Sequence, residues 1–182
     1  KSAGKHLPTE AEWEKAARGP KSSDTPFARS PVTCSEAVVR DARGRSCGRL
    51  KSGAKPHKGK VWPVASKPAG HYGLFDMVGN VEEWVADWYV PSLEACGTPC
   101  LGHNPKGPCH GQAPCPNATL KMVKGGSWYW PASHATGWHR RPHTPKNQPY
   151  HHFGFRCAAS PEQAHTLPER ASTNSSEGSS DQ

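Results

Sequence analysis

The chain has 182 residues, enough for one domain, and carries a formal net charge of +8. Its lysines and arginines are scattered and form no stripe, so we expect no nucleic acid among its partners. No segment is long and apolar enough to cross a membrane, and because the chain opens on Lys1 rather than Met we expect it to be part of a longer protein.

Residues 7–19 have the pattern of an amphipathic helix. Thr9 is the predicted N-cap, and Glu12 completes a capping box with it. Trp13 and the two alanines after it form one apolar face, and the Gly-Pro pair that follows ends the helix. This pattern predicts a scaffold helix.

The next segment, residues 20–60, is polar and contains Cys34 and Cys47, which we expect to close it into a loop. The short apolar run at residues 61–64 predicts a strand edge or a lead-in to the stretch that follows.

The densest apolar stretch runs from residue 73 to 89 and follows neither a helical nor a strand period, which predicts an irregular segment inside the core. Asp76 and Glu83 lie in it, and a buried carboxylate needs a cation or several hydrogen-bond donors. A tight turn at residues 79–80 would add carbonyl oxygens, giving the all-oxygen ligand set that calcium prefers. The alternative is that Asp76 caps the loop and Glu83 pairs with an arginine.

A cysteine-rich insertion covers residues 90–120 and contains Cys96, Cys100, Cys109 and Cys115. We expect two disulfides here, which favours an oxidising, extracytoplasmic compartment. A zinc site is the alternative, although the spacing lacks the paired C-x-x-C form. The total of 7 cysteines is odd, and Cys157 is the expected unpaired one.

A strand interrupted at the Gly-Gly pair is predicted over residues 122–130, and a final strand at residues 153–157. Five histidines lie between these strands: His134, His139, His143, His151 and His152. Residues 160–182 are polar and predict a disordered tail, which leaves residues 1–159 as the domain.

Four stretches in order, residues 7–14, 72–88, 125–128 and 154–158, resemble the formylglycine-generating enzyme (sulfatase-modifying factor) family. The resemblance implies an α+β, unusual C-type-lectin-like fold with little regular secondary structure. It also implies that this chain is the C-terminal part of such a domain, and that the partner of Cys157 lies upstream of Lys1.

The resemblance implies calcium as well. The family's second calcium site maps onto the side chains of Asp76 and Glu83 and the carbonyl oxygens of Gly79 and Val81. The place of its other calcium site is held by residues 56–58, Pro-His-Lys, and we expect that site to be absent.

Enzymes of this family oxidise a sulfatase cysteine with molecular oxygen, using two cysteines that bind Cu(I). Those positions are Trp130 and Ala135 here, and neither side chain can bind so soft an ion. We therefore expect no copper and no cysteine oxidase activity.

The resemblance places Arg140 and His152 in the family's substrate pocket. The predicted binding cleft consists of Ser127, Trp128, Tyr129, Trp130, Arg140 and His152. Our main hypothesis is a calcium-stabilised binding or structural module for a peptide or small ligand. The alternatives are a formylglycine-generating oxidase and an iron enzyme with histidine ligands, as in the related ergothioneine-pathway sulfoxide synthases.

Overall fold

The computed structural model describes residues 4–27, 29–49, 59–146 and 151–164. A four-stranded sheet has the order β3-β2-β1-β4. Its strands are β1 (Glu82–Trp88), β2 (Lys121–Lys124), β3 (Arg141–His143) and β4 (Phe153–Phe155). The β1–β2 and β2–β3 pairs are antiparallel, and β1–β4 is parallel. The helices are α1 (Glu10–Arg18), α2 (Leu93–Cys96) and α3 (Pro161–Ala164), and ordered loops and short 3₁₀ turns make up most of the remainder.

Helix α1 has the predicted capping box but begins and ends inside the predicted range. The Thr9 hydroxyl accepts a hydrogen bond from the Glu12 amide, and the Thr9 amide donates to the Glu12 carboxylate. Gly19 ends the helix with φ 69°, which favours glycine. Trp13, 1% exposed, anchors α1 to the sheet.

The prediction of an irregular segment is wrong for the second half of the 73–89 stretch, which forms strand β1. This segment is a strand because it pairs with β2 on one edge and with β4 on the other. Its sequence does not alternate between apolar and polar residues as a half-buried strand does, because Glu82, Glu83 and Asp87 are all buried. Residues 73–81 are irregular as predicted, but Leu74 and Phe75 are 36% and 44% exposed and lie outside the core.

Two apolar clusters form the core. One joins α1 to the sheet through Trp13, Ala17, Met77, Val85 and Met122. The other, Val32, Ala37, Val39, Val78 and Ala135, packs the loops together. Residues 61–64 are not a strand, and Val64 is 83% exposed.

Six cysteines form the disulfides Cys34–Cys47, Cys96–Cys100 and Cys109–Cys115. This pairing agrees with the disulfide interpretation of the insertion rather than with zinc. Cys157 is a free, exposed thiol, as expected. Within the described ranges, no helix is long and apolar enough to span a bilayer.

The last predicted strand ends at Phe155, earlier than expected, and the predicted tail begins with α3. The rest of the tail lies outside the described residues, as do residues 56–58 at the predicted absent calcium position.

Candidate functional site

The predicted cleft begins where β2 ends at a Gly-Gly pair. Gly125 and Gly126 have φ values of 90° and 66°, and a Cβ on Gly126 would lie 2.7 Å from the His134 carbonyl oxygen. Only glycine fits this turn. The turn places Trp128 in the core, where its amide donates to the Asn80 carbonyl at 3.0 Å.

The side chains after this turn form an aromatic and imidazole cluster, which we call the aromatic cluster. Tyr129 stacks on His152 with a centroid distance of 5.2 Å, and Trp130 stacks on His134 at 5.3 Å. The His134 ring contacts that of His139 at 4.6 Å. These stacks hold the rings in fixed orientations.

Two arginines cover this cluster. The Arg45 guanidinium lies 3.7 Å from the Tyr129 ring centroid, and that of Arg141 lies 4.7 Å from the Trp130 centroid. Both distances are within the range of cation–π attraction. Tyr129 and Trp130 remain half-buried, whereas Ser127, Trp128 and His152 lie behind them in the interior.

The electrostatics of the cluster centre on Glu82, a buried carboxylate that accepts a hydrogen bond from Arg141. Burial raises the pKa of Glu82, although Arg141 opposes that effect. Burial and the neighbouring His151 and Arg141 lower the pKa of His152 to about 4. His152 is therefore a neutral imidazole at neutral pH.

Three buried polar atoms of the cluster have no hydrogen-bond partner among the described residues: Glu82 Oε1, Trp130 Nε1 and His134 Nδ1. The Trp130 indole is near enough to lower the pKa of Glu82, but the geometry falls short of a hydrogen bond. Buried polar atoms of native proteins are usually satisfied, so these atoms can receive a water molecule or a polar group of a ligand.

Of the six predicted cleft residues, the ring contacts unite Trp128, Tyr129, Trp130 and His152, and Ser127 directly precedes them. The contacts of Arg140 lie elsewhere. Its guanidinium binds the Glu10 carboxylate through two hydrogen bonds of 2.7 and 3.1 Å and donates to the Val90 carbonyl.

The positions that the resemblance assigns to the copper-binding cysteines are filled by packed side chains. Trp130 lies between its contacts with His134 and Arg141, and Ala135, 1% exposed, is part of the second apolar cluster. The donor set at these positions does not fit Cu(I).

At the predicted calcium site, Glu83 pairs with an arginine. Arg156 donates from Nε and Nη2 to the Glu83 carboxylate at 2.5 and 2.8 Å, and the Trp13 indole donates at 2.8 Å. Asp76 accepts a hydrogen bond from the Ala65 amide at 2.8 Å, as a loop cap does. The described contacts thus match the alternative to calcium.

The remaining predicted ligands, the carbonyls of Gly79 and Val81, lie in the chain between these two carboxylates, and Gly79 has φ 76°. One carboxylate oxygen of Asp76 accepts no hydrogen bond from the described residues. In the part of the chain that the structure describes, no three His, Cys, Asp or Glu side chains form a metal-binding group.

Asn80 is a residue whose role the sequence analysis missed. It adopts φ 58° and is buried. Its side chain accepts from the Trp62 amide at 3.0 Å and donates to the Trp62 carbonyl at 3.2 Å, so it joins two loops beneath the aromatic cluster. The signal was its place after Gly79, because asparagine tolerates the left-handed region.

The family profile described as "Sulfatase-modifying factor enzyme 1-like domain" matches residues 1–161. The chain belongs to this family. The formylglycine-generating enzyme of Thermomonospora curvata is 36% identical over 170 residues, covering 87% of this chain and 50% of the relative. That of Mus musculus is 32% identical over 161 residues, covering 86% and 40%.

A third relative has a different name. The serine/threonine-protein kinase pkn1 of Chlamydia caviae is 35% identical over 157 residues, which cover 85% of this chain and 21% of the kinase. The chain thus spans half or less of each of these relatives.

Solved structures agree with the predicted fold. Treponema denticola variable protein 1 superimposes with a TM-score of 0.57 at 26% identity, covering 86% of this chain and 48% of that one. PvdO from Pseudomonas aeruginosa gives a TM-score of 0.59 at 23% identity, covering 84% and 51%. Because PvdO is only 23% identical to this chain, the likeness shows a shared fold and nothing more.

Proposed function

We propose that this chain is a diverged formylglycine-generating-enzyme-like domain that binds a ligand at the aromatic cluster and does not oxidise cysteine. The observation that supports this is the packing at Trp130 and Ala135. A thiolate pair is what this family uses to hold Cu(I), and residues 116–156 contain no cysteine that a shift in alignment could supply.

The chemistry of the aromatic cluster favours a peptide or a small planar ligand. The half-buried rings of Tyr129 and Trp130 offer stacking surface, and the stacks and cation–π contacts order these rings in advance, which lowers the entropy cost of binding. Trp130 Nε1 and Glu82 Oε1 have no hydrogen-bond partner among the described residues, but both atoms are enclosed, so a ligand group would reach them only after the rings move.

The kinase-named relative supports a module function. It is a longer protein of which this chain covers 21%, so a domain of this family also occurs within proteins named for a different activity. Partner recognition by such a domain requires no cysteine chemistry.

An oxidase remains the second candidate, because relatives such as that of Thermomonospora curvata are named formylglycine-generating enzymes. The iron alternative lacks support within the described residues, where the histidines do not form a metal-binding group of three.

The deciding experiment incubates the full-length protein with Cu(I), a reductant, oxygen and a cysteine-containing sulfatase peptide, and reads peptide mass. The Thermomonospora curvata enzyme serves as the positive control. We expect the control to convert the peptide and this protein to leave it unchanged. Conversion by this protein would show that it oxidises cysteine without the family's thiol pair, and our proposal would then be wrong.

We also propose that calcium binds beside Asp76. The resemblance and the oxygen-rich donor set of Asp76, Gly79, Val81 and Glu83 support this. Arg156 already compensates the charge of Glu83, so the second carboxylate, Asp76, would supply most of the attraction for the ion.

A further inference from the structure

A cleft of about 380 Å³ lies between the outer face of α1 and the cysteine-rich insertion, away from the residues of the aromatic cluster. One wall is a single helical face formed by Glu10, Ala11, Glu14, Lys15 and Arg18. The volume falls within the range of small-molecule sites.

The opposite wall is mostly apolar. Trp88 and Val90 come from the end of β1 and the residues after it, and Leu93 comes from α2. The Cys96–Cys100 disulfide fixes the insertion beside them, and Cys100 itself lines the cleft. Leu93 is 40% exposed, so an apolar ligand would cover surface that water now contacts.

The charged groups at the cleft do not balance. Lys124, which is 0% exposed, contacts Glu10 and Glu14 at 3.3 and 3.2 Å. Arg140 binds the same Glu10, and Arg18 the same Glu14. Three cations therefore share two carboxylates, which leaves a net positive charge partly buried behind the cleft.

Two further charged groups face the cleft. Lys15 is exposed on the cleft-lining face of α1 and has no ion pair among the described residues. Asp87 is buried and accepts a hydrogen bond from the Glu10 amide at 2.6 Å, and Lys121 on β2 offsets its charge. The insertion contributes only uncharged residues to the lining. The three lining cations, Lys15, Arg18 and Arg140, equal in number the three lining carboxylates, Glu10, Glu14 and Asp87, so the excess positive charge comes from Lys124 and Lys121 behind the cleft.

We propose that this cleft binds an organic carboxylate with an apolar body. The carboxylate group pairs with Lys15 and with the guanidinium N–H groups of Arg140 that Glu10 and Val90 leave unused. The apolar body lies against Trp88, Val90 and Leu93. This site does not depend on the function proposed for the aromatic cluster.

Asp87 gives the site a pH dependence. Burial, together with the charge of Glu10, raises its pKa to about 6, whereas Lys121 opposes that effect. Arg140, Arg18 and Lys15 line the same cleft as Asp87. Protonation of Asp87 removes a negative charge that repels the ligand, so carboxylate binding becomes tighter as the pH falls below about 6.

The test uses phenylbutyrate as the probe and phenylbutylamine, which has the same apolar body and the opposite charge, as the matched control ligand. Saturation-transfer NMR and calorimetric titration on the full chain measure binding. The variants are Lys15→Gln, which removes the exposed cation, and Ala11→Phe, which fills the cleft. Lys21→Gln is the matched control variant, because it removes an exposed lysine that does not line the cleft.

We expect phenylbutyrate to bind more tightly than the amine and to bind better at mildly acidic than at neutral pH. Lys15→Gln should weaken binding about fivefold, as loss of one partly screened charge does, and Lys21→Gln should leave it unchanged. Ala11→Phe should abolish binding while its circular dichroism spectrum stays that of the wild type. The proposal is overturned if the amine binds as well as the acid, if phenylbutyrate does not bind, or if Ala11→Phe leaves binding intact.

Discussion

At the scale of single residues, Asp87 links α1 to the sheet. Its carboxylate accepts a hydrogen bond from the Glu10 amide in the first turn of the helix, where the helix dipole favours a negative charge. Burial nevertheless raises its pKa from 3.8 to about 6, because water no longer solvates the charged form. The folded protein therefore holds a proton on Asp87 over a pH range in which the unfolded chain has lost it.

This raised pKa predicts how stability changes with pH. Because the folded state binds the proton more tightly, the contribution of Asp87 to stability is greatest below its unfolded pKa and is lost as the pH rises through about 6. Asp87→Asn removes this dependence. Between acidic and neutral pH we expect wild type to lose up to about 3 kcal/mol of unfolding free energy relative to the variant. Urea unfolding at a series of pH values measures this, and parallel pH profiles for the two proteins would contradict it.

The sequence could place the neighbouring rings of Trp128, Tyr129 and Trp130 together, but it could not predict pairings across the fold. Trp130 and Ala135 followed from counting along the chain after the Gly-Gly-Ser turn. The pairing of Arg140 with Glu10 joins residues 130 positions apart, and no local pattern announces it. The family resemblance places Arg140 in the predicted binding cleft, whereas its hydrogen bonds lie with Glu10 and Val90 at the cleft beside α1.

At the scale of elements, those that depend on local sequence could be predicted, and those that depend on distant partners could not. The capping box of α1 lies within one turn of chain, so its residues alone indicated the helix. Strand β1 depends on pairing with β2 and β4. It ends at Trp88, and β4 begins 65 positions later, at Phe153. Its buried carboxylates are balanced by Arg141, Arg156 and the α1 amide, partners that a periodicity argument does not include.

The stretch that leads into β1 carries the calcium prediction. Asp76→Ala should lower the melting temperature and remove any increase that added calcium gives the wild type, because one carboxylate oxygen of Asp76 accepts no hydrogen bond from the described residues, whereas Arg156 already holds Glu83. Differential scanning calorimetry with calcium and with a chelator measures both effects.

Asp41→Ala is the matched control. It also removes a loop carboxylate, but Asp41 pairs with Arg43 and is distant in sequence from residues 73–81. It should keep the calcium response. If the wild type shows no response to calcium, or if Asp76→Ala keeps one, the site assignment is wrong. The ion pair with Arg156 would then suffice to balance the charge of Glu83.

At the scale of the whole molecule, the sheet separates two sites. Glu83, Val85 and Lys124 contact α1 on one side, whereas Glu82 and Trp84 contact Arg141, His143 and Phe153 on the other. The two proposed sites are nevertheless linked electrostatically, because burial, His134 and the Lys124 ammonium behind the cleft together lower the pKa of His139 in the aromatic cluster. The apolar cluster that joins α1 to the sheet contains neither Trp130 nor Ala135, so this part of the core does not depend on the side chains at those two positions.

Much of this molecule is loop, so its stability rests on covalent links as well as on the small core. The Cys34–Cys47 bridge has the longest separation of the three, 13 residues, and Cys34 packs against the second apolar cluster. Chain-entropy arguments assign a loop of this length about 3 kcal/mol. Replacing both cysteines with alanine should lower the melting temperature strongly, whereas the same change at Cys96 and Cys100, which are only 4 positions apart, should lower it less because they close a shorter loop. Cys157→Ser in every variant prevents dimers through the exposed thiol. Equal effects of the two pairs would contradict this prediction, because loop closure alone already gives the longer loop the larger effect.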